Sequence, residues 1–261
     1  MLEGALKKAQ AIIKQANKRD GRKVNEFMPE DIFLISYPKS GNTWVRFILA
    51  HLQYQQEDVN FTTIHRFSCE AGRMDENAKK LKSPRIIKSH ELFNPLYQKV
   101  VYVVRDGRDA YVSYYHYLKN KLPAEMTFKD FLREGSMPYG RWCAHIASWL
   151  DNKASQKMLV ISYEELHLKP LETVRKIADF AGIESNAHSI GAAIEQSTFD
   201  NMKKTELKYG RGKLKTGPEI FMRKGQIGDW KSYFGEEEKK IFKELEDEGL
   251  IHLKYEKDAN W

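Results

Sequence analysis

Tyr37-Pro38-Lys39-Ser40-Gly41-Asn42-Thr43-Trp44 stands between two apolar runs, Ile32-Phe33-Leu34-Ile35 before it and Val45 to Leu52 after it. The first run reads as a short buried strand and the second as a helix. A strand, a tight basic Ser-Gly loop and a helix start make a place for an anion. The first backbone N–H groups of a helix have no partner inside it, and the dipole adds partial positive charge at that end. Lys39 puts a full positive charge beside them, and Trp44 offers a flat face in the first turn. The stretch therefore predicts an α/β fold holding a phosphate-like, nucleotide-sized ligand. Its order is not that of a nucleotide triphosphatase, where Lys follows the second Gly and a magnesium-holding hydroxyl comes next. The plainer reading is a surface Pro-Gly turn with an incidental Lys, and the rest of the chain decides between them.

The chain has 261 residues, 41% of them hydrophobic, enough for one large α/β domain with a real core or two small ones. The net charge is +7, which suits a polyanionic ligand, a nucleic acid or an acidic membrane surface. Basic residues are spread along the whole chain, which favours a positive pocket over a polybasic arm. Two cysteines, Cys69 and Cys143, without Cys-x-x-Cys spacing argue against a disulfide framework or zinc cluster and fit a reducing, cytoplasmic compartment. No run is long and apolar enough for a transmembrane helix, and the N-terminus lacks the apolar core of a secretory signal. Leu2, Leu6, Ala9, Ile13 and Ala16 fall at helical spacing among lysines, so residues 1–30 read as an amphipathic helix and lead-in. It would lie on the domain or, alternatively, on a membrane surface.

Further strands are expected at Pro84 to Lys88, Val100 to Val104 and Met158 to Ile161. Helices are expected from Asp106 or Gly107, at Phe128 to Arg133, Gly140 to Leu150, Leu171 to Ala181 and Glu236 to Glu248. The Val100 to Val104 run is continuously apolar, as in a central parallel strand covered on both faces. Strands alternating with helices predict a single domain with a central parallel sheet flanked by helices and right-handed crossovers. Gln53 to Ser83 is polar and weakly periodic, and Gly210 to Gly228 reads as a long functional loop.

Two more segments carry chemistry. In Pro84-Arg85-Ile86-Ile87-Lys88-Ser89-His90, strand alternation puts Lys88 and His90 on one face. A cation beside an imidazole resists burial, so the strand end should open into a site. In Arg105-Asp106-Gly107-Arg108-Asp109-Ala110-Tyr111-Val112-Ser113, Arg105 ends the strongest strand and Ser113 lies two turns into the next helix. Ligands in open α/β sheets bind at the carboxyl ends of parallel strands, and Arg with a hydroxyl suits a phosphate dianion. The alternative is a capping Arg-Asp pair at a strand–helix junction.

Taken in order, these motifs resemble the cytosolic-type sulfotransferases, which use 3′-phosphoadenosine 5′-phosphosulfate (PAPS). The resemblance runs from Asp31 to Phe234. It implies that Lys39, Ser40, Gly41, Asn42, Thr43 and Trp44 grip the 5′-phosphosulfate, that His90 is the general base, and that Lys88 contacts the sulfuryl group. It further implies that Arg105, Ser113, Arg223, Lys224 and Gly225 hold the 3′-phosphate. Tyr163, Ser197, Thr198, Phe199 and Met202 would pack on the adenine, and Phe221 and Met222 belong to the closing segment. Three departures stand out. Glu91-Leu92 follows His90 where the family has Leu-Pro, which makes Glu91 a rival base, although strand alternation points it away from His90's face. Ser197-Thr198 inverts the usual hydroxyl order. The family's dimerisation motif, Lys-x-x-x-Thr-Val-x-x-x-Glu, is absent from Lys231-Ser232-Tyr233-Phe234-Gly235-Glu236-Glu237-Glu238-Lys239-Lys240, so its interface is not assumed and the oligomeric state stays open.

The implied function is transfer of a sulfuryl group from PAPS to a hydroxyl or amine of a small-molecule or lipid-like acceptor, without metal and leaving 3′-phosphoadenosine 5′-phosphate (PAP). The alternatives are a P-loop kinase or nucleotide hydrolase and, in another class, a nucleic-acid-binding module; no nucleic-acid partner is expected. Phe61, Phe67, Tyr115 and Tyr139 hint at an apolar acceptor pocket.

Overall fold

The computed structural model describes residues 27–74, 76–134, 139–211 and 221–261. The amphipathic helix expected near the N-terminus lies outside them, as do residues 212–220 of the Gly- and Lys-rich stretch.

The strands are β1 Ile32–Ser36, β2 Cys69–Glu70, β3 Ile86–Ser89, β4 Lys99–Val104 and β5 Lys157–Ser162. They form a sheet of order β2-β3-β1-β4-β5 in which every pairing is parallel. Leu34 stands beside Lys88 on one side, and Ile35 beside Tyr102 on the other. The chain leaves β1 toward β3 and returns on the other side of β1 as β4. The carboxyl ends of β1 and β4 therefore flank the point where the strand order reverses, where open α/β sheets leave a crevice. The anion loop follows β1, and Arg105 follows β4.

Helices cover both faces. Ile32, Leu34, Val101 and Val103 alternate onto one face, against α1 Asn42–Gln53, α6 Pro170–Ala181 and α7 Ala187–Gln196. Phe33, Ile35, Tyr102 and Val104 point to the other, against α2 Gly107–Leu118, α4 Trp142–Leu150 and α9 Glu236–His252. The remaining helices are α3 Phe128–Glu134, α5 Tyr163–Leu168 and α8 Phe199–Tyr209. A buried Arg85–Asp31 ion pair of 2.6 Å ties the start of β3 to that of β1.

The long apolar elements lie where the sequence puts them, with shifted ends: β3 starts at Ile86, α4 at Trp142, and α9 continues to His252. Four elements escape the apolar pattern. β2 is two residues long, Cys69 and Glu70, neither of them fully buried. The helix α5 starts directly at the end of β5, opened by a reciprocal Ser162–Glu165 cap. A similar cap, Asn186 with Ser189, opens α7, whose fully buried residues are only Ile190 and Ala193. In α8 only Met202 and Glu206 are buried, so no apolar stripe marks it.

Candidate active site

A cavity of about 530 Å³ lies over the carboxyl ends of β1, β3 and β4. Its wall brings together every site residue expected from the sequence except Ser40 and Thr198.

The anion loop is built by two left-handed residues, Lys39 at φ 67° and Gly41 at φ 100°. A side chain at Gly41 would meet Tyr163 Cδ2 at 2.8 Å, so this position needs both the backbone freedom and the missing Cβ of glycine. Gly41 caps α1 without a side-chain hydrogen bond, leaving the first N–H groups of α1 to the cavity. Asn42 Nδ2 donates to the Leu34 carbonyl at 3.0 Å, so its amide anchors the helix start to β1. Ser40 lies behind the wall. Its N–H donates to the Tyr37 carbonyl at 3.2 Å, and its buried Oγ has no hydrogen bond. Lys39 Nζ sits 3.6 Å from the Phe221 ring centroid and 4.6 Å from that of Tyr117. Burial, then the nearby Arg211 and Arg105, push the ammonium well below its usual pKa against the pull of Glu206.

On the β4–β5 side, Arg105 locks three segments together. It donates to the Lys39 carbonyl at 3.0 Å and the Gln226 carbonyl at 2.9 Å, and its guanidinium lies 4.2 Å over the Tyr163 ring. Its Nε is buried without a hydrogen bond. Asp109 accepts from the N–H groups of Gly228 at 2.7 Å and Trp230 at 2.9 Å, which pins the closing segment to α2. Arg223 and Lys224 converge on Asp229 at 2.6 and 2.7 Å. Gly225, at φ 64°, runs so close over Phe199 that a Cβ there would collide with the ring. Trp44 packs on His167 at 4.6 Å and Tyr163 at 5.6 Å. Ser197 Oγ is buried and makes no hydrogen bond. Thr198 instead caps α8, accepting from the Asn201 N–H at 3.4 Å; its hydroxyl serves the helix start and it is off the wall.

On the β2–β3 side, Lys88 and His90 share the wall, as strand alternation requires. Lys88 Nζ lies 3.4 Å from Glu70 Oε1. Burial pushes Glu70 up, but Lys88, Arg73 and His90 hold it below its usual pKa. His90 Nδ1 lies 2.7 Å from the Ser36 carbonyl. A carbonyl accepts only, so the ring proton belongs on Nδ1, and in the neutral imidazole Nε2 keeps its lone pair. Burial, then Lys88, lower the His90 pKa to about 3, which keeps the ring neutral. Glu91 turns away from the cavity: its carboxylate accepts from the Tyr97 hydroxyl at 2.6 Å, and its carbonyl from Trp149 Nε1 at 3.0 Å.

The wall also includes Pro38, Glu70, Arg73, Tyr114, Tyr117, Leu118, Lys121, His167 and Gln226, which sequence reading did not single out. Two were readable: Tyr117 lies one helical turn beyond Ser113, and His167 one turn beyond Tyr163. Of the four aromatics offered for the acceptor, only Tyr139 reaches the wall. Phe61 packs on Phe47 and Phe67 on Tyr54 inside the core, and the half-buried Tyr115 packs on Phe131 at its edge. Among the described residues, no group of three or more His, Cys, Asp or Glu could hold a metal, and no helix is long and apolar enough to cross a membrane.

Cations at two separated places, the buried Ser197 hydroxyl with no partner, and the rings of Trp44 and Phe199 on one wall fit a nucleotide phosphorylated at both ends of its ribose. The sequence family described as the sulfotransferase domain matches residues 29–253. The chain belongs to the sulfotransferase family. Bovine sulfotransferase 1E1 is 30% identical over 236 residues, covering 80% of this chain and 79% of that protein. Rat sulfotransferase 2A1 is 32% identical over 225 residues, with 78% and 79% covered. Among solved structures, mouse sulfotransferase SULT7A1 complexed with PAP superposes at a TM-score of 0.68 with 29% identity, over 87% of this chain and 89% of that one. A retinol dehydratase in complex with retinol and PAP shares the fold at a TM-score of 0.71 and 21% identity. Membership makes this sulfotransferase a PAPS-dependent transferase and leaves the kinase and nucleic-acid readings without support.

Proposed function

We propose that this sulfotransferase moves the sulfuryl group of PAPS to a hydroxyl or amine of a small-molecule acceptor, with His90 as base and Lys39 and Lys88 stabilising the transferred group. The observation that carries the assignment is the 2.7 Å contact of His90 Nδ1 with the Ser36 carbonyl. It leaves Nε2 able to accept a proton beside Lys88, on the wall of the same cavity as the anion loop. When bound, PAPS supplies an activated sulfuryl group whose leaving oxygen is on the 5′-phosphate. Lys39, Lys88 and the first N–H groups of α1 face the charge that develops during in-line displacement. Arg105, Ser113, Arg223, Lys224 and the Gly225 backbone would hold the 3′-phosphate. The adenine would lie between Trp44 and Phe199, with Tyr163, Ser197 and Met202 around it. Binding energy from these distant contacts positions the reacting centre.

The strand order separates the halves. Arg105 and Tyr163 follow β4 and β5, whereas Glu70, Arg73, Lys88 and His90 come from β2 and β3. The acceptor therefore enters from the β2–β3 side. There the Tyr139 ring stands 5.7 Å from His90 beside the charged Glu70 and Arg73, and Tyr114, Tyr117 and Leu118 of α2 line the same cavity. That mixture supports a small aromatic or alicyclic alcohol with a polar edge more than a long lipid chain. Transfer of labelled sulfuryl from PAPS to a panel of phenols, sterols and aliphatic alcohols tests the reading. Label appearing on a hydroxyl, with PAP released in equal amount, is the expected result. Hydrolysis of PAPS with no acceptor labelled across the panel would count against it.

A further inference from the structure

Glu206 is the one carboxylate on α8 that is buried, with 3% of its surface exposed, and it lies in the last turn of the helix. That is the wrong end for a negative charge, since the helix dipole disfavours it there and burial adds a desolvation cost. Its contacts account for the placement. Oε1 accepts from the Phe221 N–H at 2.5 Å and Oε2 from the Met222 N–H at 2.9 Å, and Arg211 Nε lies 3.9 Å away. A carboxylate holding two consecutive backbone N–H groups fixes both the place and the direction of the chain that carries them. What it fixes is Phe221, whose ring lies under the Lys39 ammonium at 3.6 Å; Tyr117 stands edge-on to Phe221 and covers a second side at 4.6 Å. Two ring faces hold a cation through their quadrupoles more firmly once water is excluded.

We infer that Glu206 is a positioning residue for sulfuryl transfer: by gripping the backbone of Phe221 and Met222 it sets the aromatic box that aims Lys39 at the transferred group. This rests on the role proposed for Lys39. Glu206 is not on the cavity wall. Besides the direct pull of its charge on Lys39, it acts through the backbone it grips, and Phe221→Leu, which leaves that charge in place, separates the two.

A double-mutant cycle on kcat tests it. Glu206→Gln keeps the shape but opposes an amide NH₂ to one of the two N–H donors. The expected loss of kcat is about tenfold, the size of a coupling between neighbouring groups, while the Kd for PAP changes much less. In a Lys39→Ala background Glu206→Gln should cost nothing further. Phe221→Leu, which leaves Glu206 in place and removes only the ring face, should reproduce the loss and be equally silent without Lys39. It keeps the test decisive if Glu206→Gln does not fold. Losses that multiply with that of Lys39→Ala, or an unchanged kcat in Phe221→Leu, overturn the inference while leaving the sulfotransferase site intact. If Lys39→Ala itself left kcat unchanged, the role of Lys39 would fall first, and this inference with it.

Discussion

A histidine that is to take a proton from an acceptor must be neutral before the acceptor arrives, and His90 is made so by burial and by Lys88. His90→Ala should lower kcat by roughly 10²–10⁴, the usual worth of a general base, with PAP affinity nearly intact. Glu91→Gln, whose carboxylate is occupied by Tyr97, should keep turnover near the parent level. The reverse pattern in steady-state kinetics would hand the base role to Glu91. Neutral histidines also have a consequence for stability. Burial lowers His51 and His145 to about 4, and His90 to about 3. The unfolded chain takes up these protons from about pH 6.5 downward, whereas the folded chain refuses them until pH 4 to 3. Their contribution is thus complete above pH 6.5 and is lost as the pH falls through the folded values. The thermal midpoint should drop on acidification through that window, and His145→Gln should flatten the drop. A slope unchanged in His145→Gln would remove His145 from the explanation.

The elements divide by how they earn their place. β1, β4 and α2 are apolar along a strand or a helical face, and such elements are legible because hydrophobic burial follows local periodicity. The short β2 and the polar α8 owe their structure to neighbours: β2 pairs with β3, and α8 is held by the Thr198 cap, Met202 and the Glu206 contacts. No window of sequence shows such partners. Close approach between elements is the other hidden quantity. Gly225 crosses Phe199 with no room for a Cβ, and it carries a left-handed φ. Gly225→Ala should push Phe199 from its place on the wall and weaken PAP binding by about tenfold or more, given a strain of ~1–3 kcal/mol. Isothermal titration with PAP gives the answer, and an unchanged Kd would mean that Phe199 does not meet the nucleotide.

Across the whole molecule, the reversal of strand order at β1 joins the loop after β1, Arg105 and His90, which are far apart in the chain. Arg105 is the joint, bonded to the loop after β1 and to the closing segment at Gln226. If its guanidinium also meets the 3′-phosphate, PAP should raise the thermal midpoint far more than adenosine monophosphate does. Arg105→Ala should erase most of that difference, since a charge-assisted hydrogen bond is worth about 1.5–3 kcal/mol. Equal shifts from the two nucleotides in the parent protein would sink the placing of the 3′-phosphate on Arg105, Ser113 and Arg223.

Lys39, Gly41, Lys88, His90 and Arg105 are legible as site candidates because each breaks a local rule, and the structure puts all five on one cavity wall. A cation or imidazole stands at or just after the end of an apolar strand, where burial without a partner is costly. The sequence by itself determined these residue types, their order and the strand–loop–helix that carries them, since strand alternation and helix-end chemistry act over a few neighbours. It could not assign Ser40 and Thr198, whose hydroxyls read as ligand contacts but stand behind the wall or cap a helix. Nor could it place Phe61 and Phe67, aromatics that the core absorbs. The tertiary structure decided that Glu91 turns to Tyr97, that His90 keeps its proton on Nδ1, and that Glu206 reaches Phe221. Direction, tautomer and contact depend on groups brought together from distant parts of the chain, and those distances come into being only when the sheet assembles.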